Sequence, residues 1–90
     1  MKVTFRTSFT RDLRKIRDAD VRDKVRSAIL SVEQAQQLGA VPILKKLRGA
    51  GGAPYFRIRV GDYRIGLRVD EDAVTFVRVL PREEIYRYFP

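Results

Sequence analysis

Between Tyr55 and Leu67 the chain reads YFRIRVGDYRIGL, two alternating stretches joined at Gly61-Asp62. A Gly-Asp pair between alternating stretches is the mark of a two-residue β-hairpin loop. With that loop Val60 faces Tyr63, Arg59 faces Arg64 and Arg57 faces Gly66. Strand side chains alternate, so Arg57, Arg59 and Arg64 share one face. Phe56, Ile58, Val60, Tyr63, Ile65 and Leu67 fall on the other. Like charges directly opposite in a sheet are destabilising. A chain that keeps Arg59 against Arg64 has an anion to bind on that face. The fold must therefore cover one face of this hairpin and leave the arginine face open.

At 90 residues the chain is a single domain, 1–90. Its 44% hydrophobic content suffices for one core on one side of a sheet and not for two. Net charge is +8, from 19 basic and 11 acidic residues, which favours an anionic partner such as nucleic acid. Arg outnumbers Lys by 14 to 5, and the planar guanidinium fork suits phosphate and carboxylate. The N-terminus MKVTFR lacks the apolar core of a signal peptide, and no apolar run reaches membrane-spanning length. This predicts a cytoplasmic protein with no membrane partner.

The rest of the chain is read outward from the hairpin. Lys2–Arg6 alternates and predicts a short strand. Ser8 is placed as the N-cap of a first helix, with Phe9, Leu13 and Ile16 on one stripe. Asp18-Ala19-Asp20 ends that helix and caps a second. Val21, Val25, Ala28, Ile29 and Val32 then repeat at helical spacing, while Arg22, Asp23, Lys24, Arg26 and Glu33 face out. The second helix fades over Gln34–Gln37, with Gly39 as a stop. Residues 39–54 are read as a linker containing LKKLRG and a glycine-rich surface loop. A second hairpin turns at Asp70-Glu71-Asp72 into Val74–Leu80. A three-residue loop there would put Arg78 on the arginine face; an even-numbered loop would turn it away. Pro81 ends the strand, and Arg82–Tyr88 is a short helix or an irregular tail. The expected fold is α+β, in the order β-α-α-β-β-β, an antiparallel sheet with a helical hairpin on one face.

Much chemistry is excluded. No Cys and no His are present, so no Cys or His nucleophilic set, thiolate metal site or imidazole base exists. Asp70, Glu71 and Asp72 are read as a solvated turn rather than a metal site. Gly49–Gly52 lacks the context of a phosphate-binding loop. No metal and no cofactor are expected. What remains is arginine and tyrosine. Arginine clamps phosphate and stabilises charge growing on a phosphorane. Tyrosine stacks on unpaired bases, and its acidity rises when cations crowd it. Arg82 and Tyr86 are four apart and share a face if the tail is helical. Between Lys45 and Arg68 there are seven basic residues and one acidic one, Asp62. Lys45, Lys46, Arg48 and Arg68 from this stretch, with Arg78 of the next strand, are candidate RNA- or ribosome-binding residues.

The strings LKKLRG, YFRIRVGDYRIGLRV and FVRVLPREEIYRYF resemble the RelE/ParE toxin superfamily of type II toxin–antitoxin modules, over essentially the whole chain. The RelE-like branch implies a metal-independent endoribonuclease that enters the ribosomal A site and cleaves mRNA by 2′-hydroxyl attack. Arg57, Arg59, Arg64, Arg82 and Tyr86 match that branch's functional positions. The resemblance implies that Arg57 and Arg59 hold the 2′-hydroxyl and the phosphate. It gives Arg64 and Arg82 the phosphorane, and Tyr86 a base or a proton. Relatives often carry Lys at the positions of Arg57 and Arg59, and His at that of Pro81. Both replacements remove proton-transfer capacity and imply slow cleavage. The ParE-like alternative is a DNA gyrase inhibitor, and a third is a toxin homologue that only binds its antitoxin. All three imply an acidic antitoxin in a hetero-oligomeric complex, docking near Leu13, Ile16 and Leu44.

Overall fold

The computed structural model describes residues 1–36, 44–46, 54–71 and 73–90. The elements are β1 (Lys2–Phe5), α1 (Thr7–Arg14), α2 (Ala19–Gln34), β2 (Leu44–Lys46), β3 (Tyr55–Val60), β4 (Tyr63–Asp70), β5 (Ala73–Pro81) and α3 (Arg82–Tyr88). They form one five-stranded sheet in the order β1-β5-β4-β3-β2.

The Gly61 hairpin has the expected register: Val60 pairs with Tyr63, Arg59 with Arg64 and Arg57 with Gly66. Gly61 has φ 58 and Asp62 has no positive φ. That is the pattern of a turn requiring glycine at its first central position. Asp18 caps α2 as expected, its carboxylate accepting from the backbone N–H groups of Asp20 and Val21. Such a cap contributes about 1 kcal/mol. The α2 stripe buries Val25, Ala28 and Val32 against the sheet, and Phe9 and Ile16 join the same core. From the sheet come Ile58, Val60, Ile65, Leu67, Val74, Phe76 and Val79. Each fully buried side chain of this size contributes roughly 1.5–3 kcal/mol.

Several expectations are corrected. The sheet is not wholly antiparallel: β1 runs parallel to β5, with Val3 beside Val74 and Phe5 beside Phe76. The segment read as a linker contains β2, antiparallel to β3 with Leu44 opposite Ile58. Ser8 does not cap α1. The N-cap is Arg6, with no side-chain hydrogen bond, and the Ser8 hydroxyl instead donates to the Val77 carbonyl oxygen. The tail is helical, and it packs over the face expected to be open. There Ile85 and Phe89 are buried, outside the main core. Gly66 makes room for this, since a Cβ at that position would lie 2.6 Å from the Phe89 ring.

The second hairpin pairs Asp70 with Ala73, an even-numbered loop. That loop alone would turn Arg78 away from the arginines. A β-bulge intervenes: Leu67 pairs with Phe76 but Gly66 pairs with Arg78, leaving Val77 as the extra residue. Arg78 therefore lands on the arginine face after all.

Candidate functional site

The hairpin turn and α3 bring the cations together. β3 carries Arg57 and Arg59, and β4 carries Arg64 opposite Arg59. Pro81 ends β5, so α3 starts beside the turn, where the Arg82 N–H donates to the Asp62 carbonyl oxygen at 2.8 Å. Helical spacing then returns Tyr86 to the sheet, and the Arg57 guanidinium lies over its ring, 5.3 Å from the centroid. The residues predicted for catalysis, Arg57, Arg59, Arg64, Arg82 and Tyr86, thus share one patch.

Arg64 is the electrostatic centre of that patch. Its guanidinium donates to the carbonyl oxygens of Gly61 at 2.8 Å and Tyr63 at 2.9 Å, which fixes its direction. Burial holds it below its ordinary pKa, and the positive charges of Arg59, Arg57 and Arg82 push it the same way. Asp62 opposes this weakly and forms no ion pair with it. Among the described residues the ion pairs are Arg68–Asp70 and Arg78–Asp12. None involves Arg57, Arg59, Arg64 or Arg82. Tyr86 is 59% exposed, so a ring face remains for a ligand.

The residues predicted for a broader RNA surface divide. Arg68 is held by Asp70 at 3.0 Å, and that carboxylate, with a smaller contribution from Tyr55, raises its pKa. Arg78 binds Asp12 through two hydrogen bonds of 2.7 and 3.1 Å, and the same carboxylate raises its pKa. Asp12 also accepts from the Val79 N–H at 3.1 Å. Arg78 is thereby tied to α1 and acts as a tether rather than a free anion contact. The side chains of Lys45, Lys46, Arg48 and Leu44 lie outside the described residues. Ile16 is 3% exposed and belongs to the core, with little surface of its own to offer a partner. Leu13 is half-buried beside a cavity of about 230 Å³ lined also by Val25, Ile29, Leu30, Arg22 and Arg26.

Two residues near the site were not anticipated. Lys24, read as a solvated face of α2, lines a groove with Arg59 and Gly61. Only the packing of α2 over the hairpin puts it there. Tyr55 precedes Arg57 by two on β3 and stands edge-on to Phe89, with ring centroids 5.4 Å apart. The period-two pattern alone would have placed it on the arginine face. Among the described residues no group of His, Cys, Asp and Glu could hold a metal ion.

The family model described as the ParE toxin of the type II toxin–antitoxin system parDE matches residues 3–86. Toxin RelE3 of Methanocaldococcus jannaschii is 38% identical over 91 residues, spanning 100% of each chain. The RelB–RelE antitoxin–toxin complex from Methanococcus jannaschii superposes with a TM-score of 0.80 at 36% identity, over 97% of this chain and 99% of that one. The archaeal RelE–RelB complex from Pyrococcus horikoshii gives 0.70 at 21% identity, over 90% and 93%, a likeness of fold.

Proposed function

The chain belongs to the ParE toxin family of type II toxin–antitoxin systems, among relatives named RelE, and from that premise we propose that it is a ribosome-dependent endoribonuclease acting on mRNA in the A site. The observation that carries this reading is the convergence of four guanidiniums that no carboxylate neutralises among the described residues, with Tyr86 beside them. Self-repulsion of this kind is relieved by a polyanion. A loose anion site would need one or two of these groups.

The chemistry is 2′-hydroxyl attack on the adjacent phosphorus. The 2′-oxygen–phosphorus bond forms, the bond to the 5′-oxygen breaks, and a cyclic phosphate and a 5′-hydroxyl result. A proton leaves the 2′-oxygen and another reaches the 5′-oxygen. Arg57 and Arg59 hold the attacking group and the phosphate. Arg64 and Arg82 face the charge that builds on the phosphorane, and two carbonyl oxygens fix the Arg64 guanidinium before substrate arrives. Such preorganised donors contribute most where charge develops. Tyr86 takes the base on its exposed side. The Arg57 guanidinium lies over its ring and holds it in place.

The partner is an antitoxin, as the RelB-bound relatives suggest. The apolar cavity at Leu13 and Leu30, rimmed by Arg22 and Arg26, suits an acidic segment with apolar anchors.

Programmed ribosomes with a defined message test the reading. Wild-type protein is expected to cut the A-site codon, and Arg64→Ala to lose most of that activity. Intact message at saturating protein overturns it. A gyrase supercoiling assay run alongside decides whether the ParE-like activity replaces it.

A further inference from the structure

Three of the four tyrosines carry an arginine against the ring, all on one side of the sheet. Arg57 lies over Tyr86, Arg78 over Tyr88 at 5.4 Å, and Arg68 over Tyr55 at 5.9 Å from the ring centroid. The first pair belongs to the arginine cluster. In the second, Arg78 is committed to the buried Asp12 of α1, which also takes the Val79 N–H. The third has no part in the chemistry above.

Tyr55 lies on the face and strand of Arg57, two residues along, which displaces it by about 7 Å. Both members of the pair are fixed in advance. Phe89 meets the Tyr55 ring at 84°, setting its plane. Asp70 accepts twice from the Arg68 Nε, at 3.0 and 3.2 Å. A ring and a guanidinium plane are the two surfaces on which proteins stack splayed-out bases. Surfaces already ordered lose less entropy on binding. The charge on Arg68 is balanced by Asp70, so this pair is poorly suited to holding a phosphate and well suited to holding a base.

We propose that Tyr55 and Arg68 form a second stacking subsite, which takes an unpaired base of RNA bound at the arginine cluster. This rests on the RNA-cleavage reading and adds to it a track: phosphates at Arg57, Arg59 and Arg64, and a base gripped farther along β3.

The test uses a fluorescent single-stranded RNA with 2′-O-methyl groups throughout, which cannot be cut. Its binding to the full chain is followed by anisotropy. Tyr55→Leu and Arg68→Gln are each expected to weaken binding roughly tenfold, within the range of one aromatic–base stack. Tyr55→Phe should keep the wild-type affinity. If wild type, Tyr55→Leu and Arg68→Gln bind alike, or wild type does not bind, the subsite is overturned. Should Tyr55→Leu fail to fold, Arg68→Gln decides, because it leaves the Tyr55–Phe89 contact intact. Ribosome-dependent cleavage by Arg64→Ala is measured beside it. Undiminished cleavage there overturns the proposed reaction, while a Tyr55 effect on binding would still assign an RNA contact.

Discussion

Arg68 and Arg78 share a sheet face with Arg57, Arg59 and Arg64, yet each has a carboxylate of its own. Asp70 raises the pKa of Arg68, and Asp12 raises that of Arg78. Around the Gly61 turn the situation reverses. Arg64 sits below its ordinary value through burial and its positive neighbours. One residue type, a few strand positions apart, is paired with a carboxylate in one region and is left in mutual repulsion in the other. Compensation is available to this chain, since it supplies Asp12 and Asp70 elsewhere. Its omission around Arg64, among the described residues, is the feature on which the proposed RNA site rests.

The sharpest way to break this contrast is to remove a charge from the uncompensated region. Arg64→Ala is expected to lower the cleavage rate by about 10²–10³-fold, with no loss of unfolding midpoint. A wild-type rate with a lower midpoint would place Arg64 in the structural group. The opposite region is probed by Asp12→Ala, which strands Arg78 and the Val79 N–H. It should cost about 3 kcal/mol in urea unfolding. An unchanged midpoint would mean that Arg78 does not depend on its carboxylate.

Gly66→Ala lies between the two regions. Its methyl group would force Phe89 away, at about 1–3 kcal/mol, and would loosen α3, which carries Arg82 and Tyr86. Stability and cleavage should fall together. If stability alone falls, α3 keeps its place by the Arg82–Asp62 bond.

The smallest effect is electrostatic. The folded chain holds the Arg64 proton less tightly than the unfolded chain does, so its charge opposes folding at every pH below its folded-state titration. That range includes neutral pH, and changing pH near neutrality gives no relief. Salt does, because the Debye length falls to about 8 Å at 0.15 M. Arg64→Gln should therefore melt slightly above wild type at low salt, and the gap should narrow as salt rises. A gap that is constant with salt would remove repulsion as its cause.

The hairpin that carries three of the site residues was legible in the sequence because two signals coincide, a period-two pattern and a turn whose glycine is sterically required. Asp18 was legible for a similar reason, as a local cap read directly from residue type. The five-residue cluster came from the family resemblance, and the structure adds how Pro81 and the Asp62 carbonyl bring α3 to it. Less was visible where the cause is distant in sequence. β2 is three residues beside a glycine-rich stretch and shows no period of its own. The pairing of β1 with β5 joins residues some seventy positions apart. Asp12 stands among arginines on α1, and nothing local says that it meets Arg78 and the Val79 N–H of β5. Ser8 had the right chemistry for a cap, but the nearby Val77 carbonyl took its hydroxyl.

The bulge at Val77 has a consequence for how such a surface can evolve. On either side of it β5 runs in opposite phase, so the inward and outward positions exchange there. No single substitution can undo that exchange, because substitution changes what a position carries and not which way it points. Deleting one residue would do so at once, turning Arg78 inward and Val79 outward and parting Asp12 from both its partners. The phase that brings Arg78 and Val79 to Asp12 is therefore gained or lost by insertion or deletion, although a substitution at Asp12 can still break the bonds themselves, while the arginines around the turn can be tuned one substitution at a time.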